Sequence, residues 1–150
     1  MILPWHYRYL FGAKGGIELF DLEQVARLLE EALEFVKSLA TERKVILFVG
    51  GKAEASKIVE RIAERLGQPY VAGRWIGGTL TNFSEIKRRI ARLEELTTQR
   101  ERGELSKYTK KERLLIDREI TNLEIYFGGL STLKALPKLL VIADPKKEHV

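Results

Sequence analysis

Apolar positions recur along this chain with two different periods, and the change from one to the other marks its elements. From Asp21 onward, Val25, Leu28, Leu29, Ala32, Leu33, Val36 and Leu39 fall three and four residues apart. That spacing puts side chains on one face of an α-helix. Asp21 supplies an N-cap, and Gln24 stands three residues on, where a capping box places Glu or Gln, so a helix is predicted to about Ala40. Val45 to Val49 reads VILFV, with no alternation. A strand-length run that is apolar on both faces belongs in a parallel sheet covered from both sides. Helical spacing returns with Ala55, Ile58, Val59, Ile62, Ala63 and Leu66, and Gly67 stands where a left-handed cap ends a helix. Pro69, Tyr70 and Val71 begin a short strand, and Leu139 to Ala143 (LLVIA) make a third buried one, closed by Asp144-Pro145. Ahead of these, Tyr9 to Phe20 reads as short extended pieces around a turn, broken by Gly12, Gly15 and Gly16. Strand and helix alternate, which predicts an α/β core with a parallel sheet.

Residues 84–127 interrupt that alternation. Ile86, Ile90, Leu93 and Leu96 mark one narrow apolar seam, and Ile116, Ile120, Leu123 and Phe127 a second. Between them lie Gly103, Glu104, Ser106 and Tyr108, then Thr109 and Glu112 at capping-box spacing. Narrow seams with charge all round predict an antiparallel helical hairpin standing off the domain. The expected division is an α/β core over 1–83 and 128–150, with 84–127 as an inserted hairpin. Asp144 to Glu148 has the pattern of an opening helix, and three strands would leave an open sheet edge. A continuation of the chain or a partner is therefore expected there.

Composition narrows the partners. The chain has 150 residues, 45% of them hydrophobic, enough for one domain with a real core. A net charge of +5 favours an anionic partner, nucleic acid first. The absence of cysteine removes disulfides, thiolate metal sites and thiol nucleophiles. No apolar run has the length of a membrane span, and MILPWHYRYL lacks the basic lead and apolar stretch of a signal peptide, so a cytoplasmic location is expected.

Candidate catalytic chemistry is sparse. His6 and His149 stand at opposite ends, and neither has carboxylates spaced for a metal site or a nucleophile–base pair. No serine occupies a G-x-S-x-G elbow. No catalytic site, metal or cofactor is expected. Gly50-Gly51-Lys52 does follow a strand and open a helix, where α/β proteins often hold phosphate. It matches neither a P-loop nor the G-x-G-x-x-G fingerprint. It reads as a tight turn with a solvated lysine, or as a holder of phosphate from RNA or a nucleotide.

The basic residues say more. Lys87, Arg88, Arg89 and Arg92 cluster at the hairpin base beside Arg74 and Trp75, and Arg100, Arg102, Lys107, Lys110, Lys111 and Arg113 surround its tip. Glu85, Glu94, Glu95, Glu101, Glu104 and Glu112 are interleaved, so exposed ion pairs are the plain alternative. The base is the better phosphate binder on sequence, because no acid falls between Lys87 and Arg92. Trp5, His6, Tyr7, Arg8 and Tyr9 form another basic and aromatic group, fit either to meet nucleic acid or to pack on the sheet. Arg74 to Phe83 (RWIGGTLTNF) has neither helical nor strand period. Its glycines allow a sharp turn, Thr81 or Asn82 can cap the next helix, and Arg74 offers a planar phosphate-binding fork.

That loop resembles the signature of the bacterial-type ribosomal protein S-two family, in which Arg-Trp-(apolar)-Gly-Gly-x-Leu-Thr-Asn precedes a helical hairpin. Other segments match in order: Tyr9-Leu10-Phe11-Gly12-Ala13-Lys14-Gly15-Gly16-Ile17, Leu47-Phe48-Val49-Gly50-Gly51-Lys52, Gly128-Gly129-Leu130, and Asp144-Pro145-Lys146-Lys147-Glu148-His149. The resemblance implies a Rossmann-like three-layer α/β/α domain carrying an antiparallel coiled-coil hairpin. It implies no catalysis. It also implies a place on the small ribosomal subunit, cytoplasmic or organellar, touching small-subunit ribosomal RNA and neighbouring proteins, protein S-one among them. RNA contact carries over to Arg74, Trp75, Thr79, Thr81, Asn82, Lys87, Arg88 and Arg89, and charge adds Arg8 and Lys52. The family pattern has more sequence before Tyr9 and continues well past Val150, so a chain truncated at both ends is expected, and Gly51 stands where Thr is usual. Two other readings remain: a small nucleotide- or phosphate-metabolite-binding enzyme using Gly50-Gly51-Lys52, and an adaptor that binds proteins through the hairpin.

Overall fold

The computed structural model describes residues 8–145 and 148, and the chain falls into two compact units divided between Lys44 and Val45. Trp5, His6, Tyr7, Lys146, Lys147 and His149 lie outside the described residues.

In the first unit, β1 (Leu10–Lys14) and β2 (Ile17–Phe20) pair antiparallel, with Lys14 opposite Ile17. Gly15 and Gly16 join them at φ +60° and +81°, the left-handed pair that a two-residue hairpin turn requires. The N–H of Asp21 donates to Tyr9 O at 2.8 Å, and the Asp21 carboxylate accepts the N–H of Gln24 at 3.1 Å. The predicted cap therefore starts α1, which runs Leu22–Thr41. No residue of α1 is buried, and Val25, Leu29 and Leu33 of its predicted inward stripe are exposed. Among the described residues of this unit the sheet is a two-stranded ribbon, too narrow to cover a helix about 30 Å long.

The second unit is built on a parallel sheet of order β4-β3-β5, with β3 (Ile46–Val49) between β4 (Tyr70–Val71) and β5 (Leu139–Ile142). Phe48 lies opposite Tyr70 and Val141. Alternate residues of β3 serve opposite faces. Leu47 and Val49 join one core cluster with Val71, Ile86, Ile90, Leu93, Leu96, Ile120, Leu123 and Phe127. Ile46 is buried outside that cluster, as is Ala63 of α2 (Ala53–Leu66), the helix that packs on β3 and β4. Both faces are thus covered, as the strand pattern predicted, and the parallel sheet with its helices agrees with the Rossmann-like fold that the family resemblance implied. Gly67 ends α2 at φ +62°. Of the face predicted to turn inward, Ala55 and Val59 are half-buried, but Ile58, Ile62 and Leu66 stay exposed. A sheet of three short strands cannot cover four helical turns.

Two long helices separate β4 from β5 in sequence: α3 (Phe83–Glu101) and α4 (Lys110–Phe127), joined by a 3-10 turn over Glu104–Lys107. Thr109 and Glu112 form the predicted capping box in full, and Ile86, Ile90, Leu93 and Leu96 are buried as predicted. The two helices pack against each other as a pair, and their seams belong to the same core cluster as Leu47 and Val49 of β3 and Val71 of β4. Ion pairs between the helices join Arg92 to Glu119 and Arg100 to Glu124.

Candidate nucleic-acid interface

The loop from Arg74 to Asn82 is held from within. The Ile76 carbonyl accepts both the N–H of Thr79 at 3.2 Å and its hydroxyl at 2.7 Å. Gly78 takes φ +89°, and its carbonyl accepts the N–H of Asn82 at 2.7 Å. Trp75, Ile76 and Phe83 pack half-buried against the core cluster, which leaves Arg74, Thr81 and Asn82 facing solvent. Thr79 is the exception among the sequence candidates. It is buried, and its hydroxyl shapes the turn. Asn82 stands at the N-cap of α3 as expected, but its side chain makes no cap bond and accepts from the Ser84 hydroxyl at 3.3 Å instead.

Charges next to this loop are partly spent on one another. Arg88 and Arg89 both reach Glu85, each at 3.3 Å, and Arg92 is held by Glu119 and Glu95, each at 3.1 Å. Hydrogen bonds to Glu119 and then Glu95 push the Arg92 guanidinium above its ordinary range, so it stays charged and fixed in place. The Lys87 ammonium lies over the Phe83 ring, 5.3 Å from its centre. The absence of acid between Lys87 and Arg92 did not keep these arginines unpaired, because Glu85 lies one helical turn back, where i,i+3 and i,i+4 partners meet. Exposed pairs of this kind are weak and open readily to phosphate.

Lys52 and the glycine turn are engaged differently. Lys52 Nζ lies 3.6 Å from Asp144 Oδ2, and the N–H of Gly51 donates to Glu148 Oε1 at 2.8 Å. Carboxylates of this chain thus occupy the two groups a nucleotide phosphate would need. Sequence could not pair them, because Gly51 and Glu148 are 97 positions apart. A Cβ on Gly51 would collide with the carbonyl of Gly73, so a larger residue there would require that backbone to shift. Arg8 belongs to the first unit and is exposed. Among the described residues no group of three or more His, Asp or Glu could hold a metal ion, and no helix is long and apolar enough to cross a membrane.

A family model described as Ribosomal protein S2 matches residues 2–150. The chain belongs to the ribosomal protein S2 family. Two relatives called small ribosomal subunit protein uS2 are similar to it. That of Petrotoga mobilis is 45% identical over 142 residues, covering 95% of this chain and 49% of the relative. That of Rippkaea orientalis is 40% identical over 141 residues, covering 94% of this chain and 53% of the relative. The chain spans about half the length of the curated relatives it matches. Membership in the S2 family gives no support to the enzyme reading of Gly50-Gly51-Lys52, and the ties to Asp144 and Glu148 account for that turn.

Proposed function

We propose that this chain is a structural constituent of the small ribosomal subunit, without catalytic activity, that binds small-subunit ribosomal RNA and neighbouring ribosomal proteins in support of translation. Its place is the ribosome, in the cytoplasm, with protein S-one among its neighbours. The observation that carries the reading is the 74–83 loop of an S2-family chain: hydrogen-bonded from within, packed through Trp75 and Phe83, and presenting Arg74, Thr81 and Asn82 outward. A loop so braced meets RNA without an ordering cost. Arg74 supplies a bidentate phosphate contact, and Trp75 anchors the loop to the core beside it. Lys87, Arg88 and Arg89 extend the basic surface along the first turns of α3, trading the weak hold of Glu85 for phosphate. Lys52 and Arg8 add cationic contacts, and Thr79 keeps the loop in shape. Co-sedimentation tests the proposal. The chain should travel with small subunits at moderate salt and be released as salt rises. No co-sedimentation and no affinity for small-subunit RNA would overturn it.

A further inference from the structure

Helix α4 has a second face that its inward seam does not explain. Ile120, Leu123 and Phe127 are buried, yet on the opposite side Leu114, Leu115 and Ile125 are 51%, 53% and 63% exposed. At about 100° per residue, Leu114, Ile125, Arg118 and Lys111 fall within one stripe directed away from the seam, with Leu115 on its margin. The acids of α4 (Glu112, Asp117, Glu119 and Glu124) all fall outside that stripe. Arg118 and Lys111 have no ion-pair partner among the described residues, whereas Arg88, Arg89, Arg92, Arg100 and Arg102 each hold a carboxylate.

The geometry points to this outward face of α4 as a docking surface for an acidic, aliphatic segment of a neighbouring small-subunit protein. Charge complementarity selects the partner. An acid-free face repels a second copy of itself. Phosphate answers the two cations but offers nothing apolar to three aliphatic side chains. An amphipathic helix with Leu or Ile at i, i+3 and i+4 and Asp or Glu beside them answers both, by ridge-into-groove packing. From Lys111 to Ile125 the stripe is about 21 Å long, which fits about four turns of such a helix.

This inference rests on the ribosomal reading above, and the test separates the two. A photo-crosslinking phenylalanine analogue is placed at Leu115 in one chain and at Arg88 in another, each is assembled into small subunits in cells, and the products are identified by mass spectrometry. The expected result is a protein crosslink from position 115, through a peptide carrying both acidic and aliphatic residues, and an RNA crosslink from position 88. Arg118→Glu should cut the protein crosslink about tenfold while position 88 is unaffected. A crosslink from 115 to RNA, to a basic peptide or to nothing, with 88 still on RNA, overturns the docking surface alone. Failure of both chains to enter the particle overturns the ribosomal reading and this inference with it.

Discussion

Gly129 and Tyr70 meet through bare backbone: a Cβ on Gly129 would collide with the carbonyl oxygen of Tyr70 and lie 2.8 Å from two of its ring carbons. This approach fastens the 3-10 turn after α4 (Gly128–Leu130) to β4. The Tyr70 hydroxyl in turn donates to Glu64 at 3.1 Å and Glu60 at 3.2 Å on α2. Burial first, then the hydrogen bond to Glu64, push the phenol above its ordinary range, so it stays a donor at any physiological pH. The end of α4 is thereby tied to the strand that leads into the 74–83 loop.

Gly129→Ala should therefore destabilise the protein by about 1–3 kcal/mol, the usual cost of forcing a group into a filled site. Its neighbour is the control. Gly128 has helical φ of −54°, and a methyl group there would meet nothing within 4 Å, so Gly128→Ala should be neutral or stabilise by about 0.5 kcal/mol. Urea denaturation of the two variants checks the contrast, and equal effects would contradict this account of the turn.

Thr79→Val keeps volume and charge but leaves the Ile76 carbonyl with one donor fewer in a buried turn. A loss of about 1–2 kcal/mol is expected, together with weaker RNA binding because the loop loosens. Thr81→Val, at an exposed position, should leave stability within about 0.5 kcal/mol. Denaturation and RNA titration of the pair separate loop shape from surface contact.

Acid should loosen the start of α4 first. The backbone N–H of Thr109, then its hydroxyl, donate to the Glu112 carboxylate and hold it below the usual glutamate range. A carboxylate with a depressed folded pKa contributes stability that is complete above its unfolded value, about 4.3, and is lost as pH falls through the lower folded value. Amide exchange at Thr109 and Glu112 should accelerate below about pH 4, and Glu112→Gln should remove that pH dependence. Thr109→Ala should cost about 1 kcal/mol at neutral pH.

Among the proposed RNA contacts, Arg74 should matter more than Lys52. Arg74 is exposed with no ion-pair partner among the described residues, while Lys52 already faces Asp144. Arg74→Ala is expected to weaken binding about tenfold and lower the salt slope by about 1, and Lys52→Ala to change affinity less than about threefold. Fluorescence anisotropy with a small-subunit RNA fragment measures both, and the reverse order would contradict the placement of the interface.

Local patterns were legible where neighbours in sequence are neighbours in space. Asp21, Gly67, the Thr109–Glu112 box and the strand β3 all stand where residue type and spacing put them. Long-range matters were not. Nothing local to Lys52 or Gly51 announces Asp144 and Glu148. The α3 and α4 seams specified two amphipathic helices, but nothing local to Arg92 or Arg100 announced Glu119 and Glu124 as their partners on α4. The family motif around Arg74 was fully readable, yet the inward turn of Thr79 depends on a core assembled from distant segments.

The central claim is that the surface running from the 74–83 loop onto α3 binds RNA phosphate. Its most direct test is the salt dependence of binding to small-subunit ribosomal RNA, compared between the parent chain and the triple variant Arg74→Ala, Arg88→Ala, Arg89→Ala. Each phosphate contact contributes about 0.9 to the slope of log affinity against log salt, so the triple variant should lose about 2 to 3 from that slope and bind at least about tenfold more weakly. A parent chain with no salt-dependent binding, or a triple variant with an unchanged slope, would contradict it.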